Sequence, residues 1–524
     1  MRKVLISDKM SPLAEQIFKT RGLEVDFKPG MSPEELIACI GEYDGLAIRS
    51  STTVTPEVLA AATNLKVIGR AGIGVDNVDI PAATAKGTVV MNTPFGNSIT
   101  TAEHAISMMM ALARQIPQAS ASTHAGKWEK SGFMGVELFG KTLGVIGCGN
   151  IGSCVIERAI GLKMRVIGFD PYLTPDRAKD LGIEKVELDE LFQRSDFITL
   201  HTPLTDGTRG IIGPKSFPKM KDGVRIINCA RGGLIDEPAL KEALDSGKVA
   251  GAALDVFEVE PAKENVLFGH PNVICTPHLG ASTTEAQVNV AVQVAEQISD
   301  YLLTGAVTNA LNMPSVSAED APKLKPFMKL MEYLGGFAGQ ITRTGIKAIS
   351  IEFEGNVSKL NTKPLTAIAV SGLLRPMLEG VNMVSAPAVA KERDIKISET
   401  IREDCDEYYS LIKLTVTTET QTRTVSGTLF AGKPRLVEVN GIPVEAEFGT
   451  HMVYLANKDK PGLIGKFSTA LGVAGVNIAT FHLGRKADGD EAVALAQIDQ
   501  ALSADMLDTL RALPNVVRVE ALNF

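Results

Sequence analysis

The chain has 524 residues, of which 45% are hydrophobic and 22% charged, with a formal net charge of −8. At about 100–200 residues per domain this predicts three or four globular domains. The acidic balance argues against non-specific nucleic-acid binding, which needs a basic field, and no stretch approaches the ~20 apolar residues of a membrane-spanning helix.

The start, M-R-K-V-L-I-S-D-K-M, has a short apolar run and reads as a first strand, not a signal peptide, so the expected location is cytoplasmic. Val4–Ser7, Glu24–Phe27, Gly45–Ile48 and Lys66–Gly69 are apolar runs, with helical patterns at Ser11–Thr20 and Pro33–Ile40 between them. Ser11-Pro12 and Ser32-Pro33 each place a capping residue before a first-turn proline. Strands alternating with helices predict a parallel sheet covered on both faces. After a helical pattern at Thr101–Gln115 the rhythm restarts, with strands at Thr142–Gly147, Arg165–Phe169, Asp196–Leu200, Val224–Cys229, Gly251–Leu254 and Asn272–Cys275. The long helical pattern Thr283–Leu303 is expected to return the chain to the first unit.

Asn309–Lys325, rich in proline, serine and alanine, reads as a linker. A helical start at Phe327–Thr342 and alternating segments at Ile346–Glu354 and Tyr409–Thr417 predict an α+β unit. The last unit reads strand (Met452–Leu455), helix (Gly462–Ala474), strand, strand (Ala492–Ile498), helix (Ala504–Leu513), strand (Val516–Ala521), a ferredoxin-like order. The expected fold class is therefore α/β, with two doubly wound parallel-sheet domains, one flavodoxin-like and one Rossmann-like, followed by an α+β domain and a ferredoxin-like domain. Their expected bounds are 1–97 with 285–310, 98–284, 311–450 and 451–524. Six scattered cysteines without a C-x-x-C pair, and seven histidines without ligand spacing, predict reduced thiols and no metal site.

Gly147-Cys148-Gly149-Asn150-Ile151-Gly152 is a G-x-G-x-x-G motif that follows an apolar strand and opens a helical pattern. The next strand ends in Asp170, about 20 residues on, where an acid meets a ribose. Gly147 permits the tight turn, Gly149 lets the backbone approach a pyrophosphate, and Gly152 allows close packing of helix on sheet. The helix N-terminus presents free N–H groups to the phosphates. Pro171 and Tyr172 follow Asp170 without an arginine, which favours NAD over NADP.

Hydride transfer from a 2-hydroxy acid needs a base for the hydroxyl proton and a cation for the carboxylate. Arg231 in N-C-A-R-G-G, Glu260 in D-V-F-E-V-E-P and His278 in T-P-H-L-G-A-S-T each follow a different strand of the second unit, at the edge where open α/β sheets place ligands. A carboxylate beside an imidazole orients it and stabilises its protonated form, so Glu260 and His278 suit an acid–base pair.

The ordered set G-R-A-G-I-G-V-D-N-V-D, G-C-G-N-I-G, N-C-A-R-G-G-L-I-D-E, A-A-L-D-V-F-E-V-E-P and P-H-L-G-A-S-T resembles the D-specific 2-hydroxyacid dehydrogenase family. K-W-E-K-S-G-F-M-G and the later segments resemble its phosphoglycerate dehydrogenase branch, in the long form with an intervening domain and a C-terminal ACT domain. The resemblance implies NAD as cofactor, 3-phosphoglycerate as substrate, and a place at the entry to serine synthesis. It assigns Arg231 to the substrate carboxylate and Glu260 with His278 to acid–base work. It puts Asn150, Ile151, Asp170, Thr202, Cys229 and Asp255 at cofactor-contact positions, and implies a homodimer or homotetramer. Rival readings are a dehydrogenase for another D-2-hydroxy acid, such as glycerate or 2-hydroxyglutarate, and an NAD-sensing scaffold of the C-terminal-binding-protein type.

A phosphorylated substrate requires extra positive charge. Arg49 in A-I-R-S-S and Arg70 in V-I-G-R-A-G end strands of the first unit and suit phosphate. The turn through Gly72, Ile73 and Gly74 offers N–H groups to a carboxylate, and Lys130 is a further candidate that in relatives reaches across a dimer interface. At the C-terminal end Asn457, Asp459 and Asn477 are candidate contacts for L-serine as an effector, by resemblance to ACT domains. Neither a nucleic-acid nor a membrane partner is expected.

Overall fold

The computed structural model of the chain describes residues 2–94, 96–317, 319–486 and 491–524. The first sheet is built from β1 (Lys3–Ile6), β2 (Glu24–Phe27), β3 (Gly45–Ile48), β4 (Val67–Arg70) and β5 (Val89–Asn92), all parallel, in the order β2-β1-β3-β4-β5. β3 and β5 are buried along their whole length, as strands covered on both faces must be. β5 is an addition to the four strands expected. Ser11 and Ser32 do cap helices, and Ser32 closes a capping box with Glu35. The helix Thr284–Thr304 lies on this sheet, its Val290, Val294 and Ile298 sharing a core with Val4 and Val67. Gly69 makes the approach possible, since a Cβ there would stand 2.5 Å from Val294 Cγ2.

The second sheet holds β6 (Thr142–Ile146), β7 (Arg165–Phe169), β8 (Glu184–Lys185), β9 (Phe197–Leu200), β10 (Val224–Asn228), β11 (Val249–Leu254) and β12 (Val273–Cys275). Its order is β12-β11-β10-β9-β6-β7-β8 and every pairing is parallel. β6 lies between β7 and β9, so the strand order reverses beside it; that switch point opens a crevice at the strands' carboxyl ends.

The third sheet comprises β13 (Ile346–Gly355), β14 (Lys396–Arg402), β15 (Ser410–Thr418), β16 (Thr422–Phe430), β17 (Lys433–Val439) and β18 (Ile442–Glu447), in the order β14-β13-β15-β16-β17-β18. Only β14 pairs parallel. Burial alternates along β13 and β15, so one face carries the core. The helices Ala321–Gln340 and Lys363–Leu374 cross at Gly335 and Gly339, where a Cβ would come within 2.3 Å of Ala369 O and 2.4 Å of Leu373 O.

The segment read as a linker to Lys325 is shorter in the structure. The helix begins at Ala321, because Pro322 occupies the first turn, where no hydrogen bond is lost. Residues before it are also pinned to the first sheet: Asn312 accepts from Val90 N at 2.9 Å and donates to Thr88 O at 2.9 Å.

The fourth sheet, β19 (His451–Lys458), β20 (Ile478–Arg485), β21 (Glu491–Ile498) and β22 (Val516–Asn523), runs β20-β21-β19-β22 and is antiparallel throughout. With the helices Leu463–Val473 and Ala504–Arg511 this is a ferredoxin-like arrangement. Among the described residues no helix is long and apolar enough to cross a membrane.

Candidate active site

The loop after β6 has the shape a dinucleotide needs. Gly147 adopts φ 93°, and a Cβ on it would meet His201 O at 2.5 Å. A Cβ on Gly152 would stand 2.0 Å from Gly147 O, whereas one on Gly149 would meet nothing within 4 Å. The first two glycines noted let loop and helix close on each other; the last leaves open space before the N-terminus of the helix Asn150–Gly161. Asp170 ends β7, and its Oδ2 accepts from Cys148 N at 2.9 Å while Oδ1 accepts from Tyr172 N at 2.8 Å. Each carboxylate oxygen keeps a lone pair for a ribose hydroxyl. Burial and the Asp170 charge push the Cys148 thiol up to about 12, so it stays neutral. Asn150 and Ile151 form the helix's first turn, and Asn150 is exposed. Thr202 follows β9, behind His201, whose N donates to Ile146 O at 2.7 Å. Burial lowers the His201 imidazole to about 4, so it is neutral beside the cradle. These residues fit NAD: a glycine cradle, free helix N–H groups and an acid at the next strand's end.

Glu260 and His278 come together. His278 Nδ1 and Glu260 Oε2 are 2.6 Å apart, and Glu260 Oε1 accepts from Phe257 N at 3.0 Å. Burial works to raise the Glu260 carboxyl, but the His278 and Phe257 hydrogen bonds outweigh it and hold the group below its ordinary range. Both side chains are partly open, 49% exposed for His278 and 34% for Glu260. His278 has a left-handed backbone, φ 55°, which is costly for a side chain with a Cβ. Its N–H donates to Asp255 O at 2.8 Å.

The fully buried Asp255 organises this loop. It accepts from Thr276 Oγ1 at 2.5 Å, Leu279 N at 2.7 Å and Gly280 N at 2.8 Å, with His104 Nε2 at 3.2 Å. Burial pushes its carboxyl up, and the bonds from His104, Thr276 and Leu279 pull it down further, so it is lowered overall. Cys229 lies close enough that the ligand atoms of His104, Cys229 and Asp255 fall within 4.8 Å of one another. A metal reading fits this trio poorly, because both Asp255 oxygens already accept hydrogen bonds and burial, with the Asp255 charge, raises the Cys229 thiol. Sequence reasoning named Asp255 and Cys229 but missed His104 and Thr276; the T-A-E-H run on the helix Ser98–Arg114 carries no signal until the fold places it.

Across the crevice the arginines converge. Arg231 follows β10; its Nε donates to Asp76 Oδ2 at 2.9 Å and its Nη1 to Ala230 O at 2.7 Å. A Cβ on Gly74 would stand 1.6 Å from Arg231 Nη2, and one on Gly72 would stand 1.6 Å from Arg70 Nη1, so both guanidiniums lie directly over the glycine turn. Arg70 Nε is buried without a hydrogen-bond partner among the described residues. Burial, then the charges of Arg231 and Arg49, lower the Arg70 guanidinium to about 10, which leaves it cationic at neutral pH. Arg49 donates from Nη1 to Lys9 O at 3.1 Å, and its backbone N–H is held by the buried Asp8 at 2.6 Å. Asn92 Nδ2 ties the turn at Ile73 O, 2.7 Å away. On the other side of Arg231, a Cβ on Gly232 would meet Phe257 O at 1.8 Å, so the arginine turn rests on the segment leading to Glu260. Lys130 is not brought to this cluster: it lies exposed in the turn Lys130–Gly132 and, among the described residues, bonds to none of the three arginines.

At the C-terminal end, a cavity of about 340 Å³ is lined by Asn457, Asp459, Gly462, Phe481 and Arg485, among others. Asn457 is 5% exposed and its Oδ1 has no partner among the described residues. Asp459 Oδ2 lies 3.4 Å from Arg485 Nε, a residue sequence reasoning missed. Asn477 is not part of this lining; its Nδ2 donates to Asp499 Oδ2 at 2.8 Å.

Residues 106–280 match the family model of the D-isomer specific 2-hydroxyacid dehydrogenase, NAD binding domain, and residues 323–440 that of the D-3-phosphoglycerate dehydrogenase intervening domain. The chain is 42% identical over 530 residues to D-3-phosphoglycerate dehydrogenase of Bacillus subtilis, covering 100% of both chains. It is likewise 42% identical over 525 residues to the protein of that name from Methanocaldococcus jannaschii, again covering 100% of each. Among solved structures, a glyoxylate reductase from Paecilomyes thermophila superposes with a TM-score of 0.56 at 32% identity, covering 59% of this chain and 98% of that one. The D-lactate dehydrogenase of Escherichia coli does so with a TM-score of 0.53 at 32% identity, covering 59% of this chain and all 100% of its own.

Proposed function

The chain belongs to the D-3-phosphoglycerate dehydrogenase family, and on that premise we propose that its cleft oxidises 3-phospho-D-glycerate to 3-phosphohydroxypyruvate with NAD, the entry step of serine synthesis. The observation that carries the reading is the convergence of Arg70 and Arg231 on one glycine turn, with the charge of Arg49 beside Arg70, next to the segment that leads to the Glu260–His278 pair. Three guanidiniums in one place suit a ligand with a phosphate at one end and a carboxylate at the other.

In this reading Arg231 holds the carboxylate and the N–H groups of Ile73 and Gly74 assist, that of Gly72 being given to Arg70 O at 2.9 Å. Arg49 and Arg70 take the phosphate. His278 Nδ1 is engaged by Glu260, which leaves Nε2 to accept the proton of the C2 hydroxyl. Glu260 stabilises the imidazolium that results. NAD, when bound, accepts the hydride from C2, and the C2–O bond becomes a carbonyl. Gly149 and the helix N-terminus at Asn150 and Ile151, in the loop that Gly147 and Gly152 close, would seat the pyrophosphate, Asp170 would hold the ribose, and Thr202, Cys229 and Asp255 would be further cofactor contacts.

The residues around the β1–β5 sheet are read as the substrate domain and those around β6–β12 as the cofactor domain. The third sheet is read as the intervening domain and the fourth as an ACT domain. The polar cavity of that last unit suits a zwitterion: Arg485 for a carboxylate, Asp459 for an ammonium and the free Asn457 Oδ1 for a further donor. L-Serine fits these groups as an effector, and a homodimer or homotetramer is the expected assembly. The testing experiment is NADH formation from NAD and 3-phospho-D-glycerate, trapping the keto product, with D-glycerate alongside. Strong preference for the phosphorylated acid supports the reading; equal rates, or no turnover, overturn it.

A further inference from the structure

Asp76 has no role in the reaction as proposed, yet it is the partner of Arg231. It follows the turn Gly72–Val75 on the first sheet's side of the cleft, whereas Arg231 follows β10 of the second sheet. Among the described residues theirs is the one ion pair joining the two units. The arginine side chain has several rotatable bonds, and a like charge, Arg70, stands near it. Left alone it would swing toward water. Two contacts on different edges of the guanidinium prevent this: Nε donates to Asp76 Oδ2 at 2.9 Å and Nη1 to Ala230 O at 2.7 Å. With both held, the plane is set, and Nη2 lies over Gly74.

We infer that Asp76 is a positioning residue for the reaction: it holds the Arg231 guanidinium in the plane that aims Nη2 at the substrate carboxylate, across the boundary between the two units. The inference rests on the reading of Arg231 as the carboxylate-holding residue. A purely structural role is a poor account of Asp76, because its side chain is 69% exposed and a solvated ion pair contributes little to fold stability. Its worth lies in orientation, where a displacement of about 1 Å costs up to ~100-fold in rate.

The test is a steady-state comparison of the full-length wild type, Asp76→Ala, Asp76→Asn, Arg231→Lys and the Asp76→Ala/Arg231→Lys double variant, with NAD and 3-phospho-D-glycerate. Asp76→Ala is expected to lower kcat/KM for the phosphorylated acid by about 10- to 100-fold, with the KM for NAD and the thermal midpoint unchanged. Asp76→Asn keeps an oxygen that accepts from Nε and is expected to recover most of the loss. In the Arg231→Lys background, which has no fork to orient, removing the Asp76 carboxylate is expected to cost little more. A wild-type value in Asp76→Ala, no recovery in Asp76→Asn, or the same loss in both backgrounds overturns the inference and leaves the reaction standing. Absence of turnover by the wild type itself overturns the reaction, and this inference with it.

Discussion

His278 Nδ1 and Glu260 Oε2 lie 2.6 Å apart, although the two residues are separated by 18 positions and leave the ends of different strands. The contact engages Nδ1 and leaves Nε2 as the nitrogen that would accept the proton in the proposed reaction. Replacing His278 by alanine is expected to lower kcat by about 10²–10⁴, the usual worth of general acid–base catalysis, with NAD affinity retained. Glu260→Gln is expected to lose less, since an amide oxygen still accepts from Nδ1–H but no longer stabilises the imidazolium. Steady-state rates together with NADH fluorescence titration check both. Full activity in His278→Ala would remove the assignment.

The glycine cradle separates a packing role from a ligand role. Gly152→Ala drives a Cβ to 2.0 Å from Gly147 O and is expected to lower the thermal midpoint as well as NAD binding. Gly149→Ala meets nothing within 4 Å in the protein and is expected to leave the midpoint unchanged while weakening NAD binding, because the Cβ fills the space for the pyrophosphate. Thermal denaturation of both variants, with and without NAD, checks the contrast.

The arginine cluster predicts selectivity. Arg49→Ala or Arg70→Ala is expected to reduce kcat/KM for 3-phospho-D-glycerate by about 10- to 100-fold, the value of a charge-assisted hydrogen bond or two. Turnover of D-glycerate, which lacks the phosphate, should change far less. Parallel assays on the two acids check this, and an equal loss on both would move the phosphate site elsewhere.

Acid stability follows from Asp255. Its carboxyl is lowered in the folded chain, so protons bind the unfolded state more readily. The contribution is fully present above the unfolded value near 3.9 and is lost as pH falls through the lowered native value. Asp255→Asn is expected to destabilise the protein at pH 7 by about 1–3 kcal/mol, through backbone donors left unmatched, and to show a flatter decline below about pH 4. Thermal midpoints between neutral and strongly acid pH test the sign.

The C-terminal cavity predicts an effector response. L-Serine is expected to raise the thermal midpoint of the wild type and to lose that effect in Asn457→Ala, whose unpartnered Oδ1 lines the cavity. Asn477 is turned to Asp499 and lies outside that lining within one chain. Asn477→Ala therefore tells a cavity complete in one chain, which keeps its response, from one that a second copy completes, which loses it.

The chain's own order of residues determined the alternation of strands and helices, the fingerprint from Gly147 to Asp170, and the nomination of Arg231, Glu260 and His278, because these depend on local periodicity, on turn chemistry and on the position of a residue just beyond a strand. β5 and the start of the helix at Ala321 were not legible: V-V-M-N is not separated from its surroundings, and the proline, serine and alanine of Asn309–Lys325 have the composition of a linker. The partners were decided only by the tertiary structure. Asp76 meets Arg231 over 155 positions because the first unit faces the second across the crevice, and His104 stands beside Asp255 because the helix Ser98–Arg114 packs on the second sheet, and no local pattern encodes which side chains then face one another. Hydrogen bonds and charge pairs act over a few ångströms of space, not along the chain, so the groups that set each residue's orientation and protonation appear only once the fold has closed the distance.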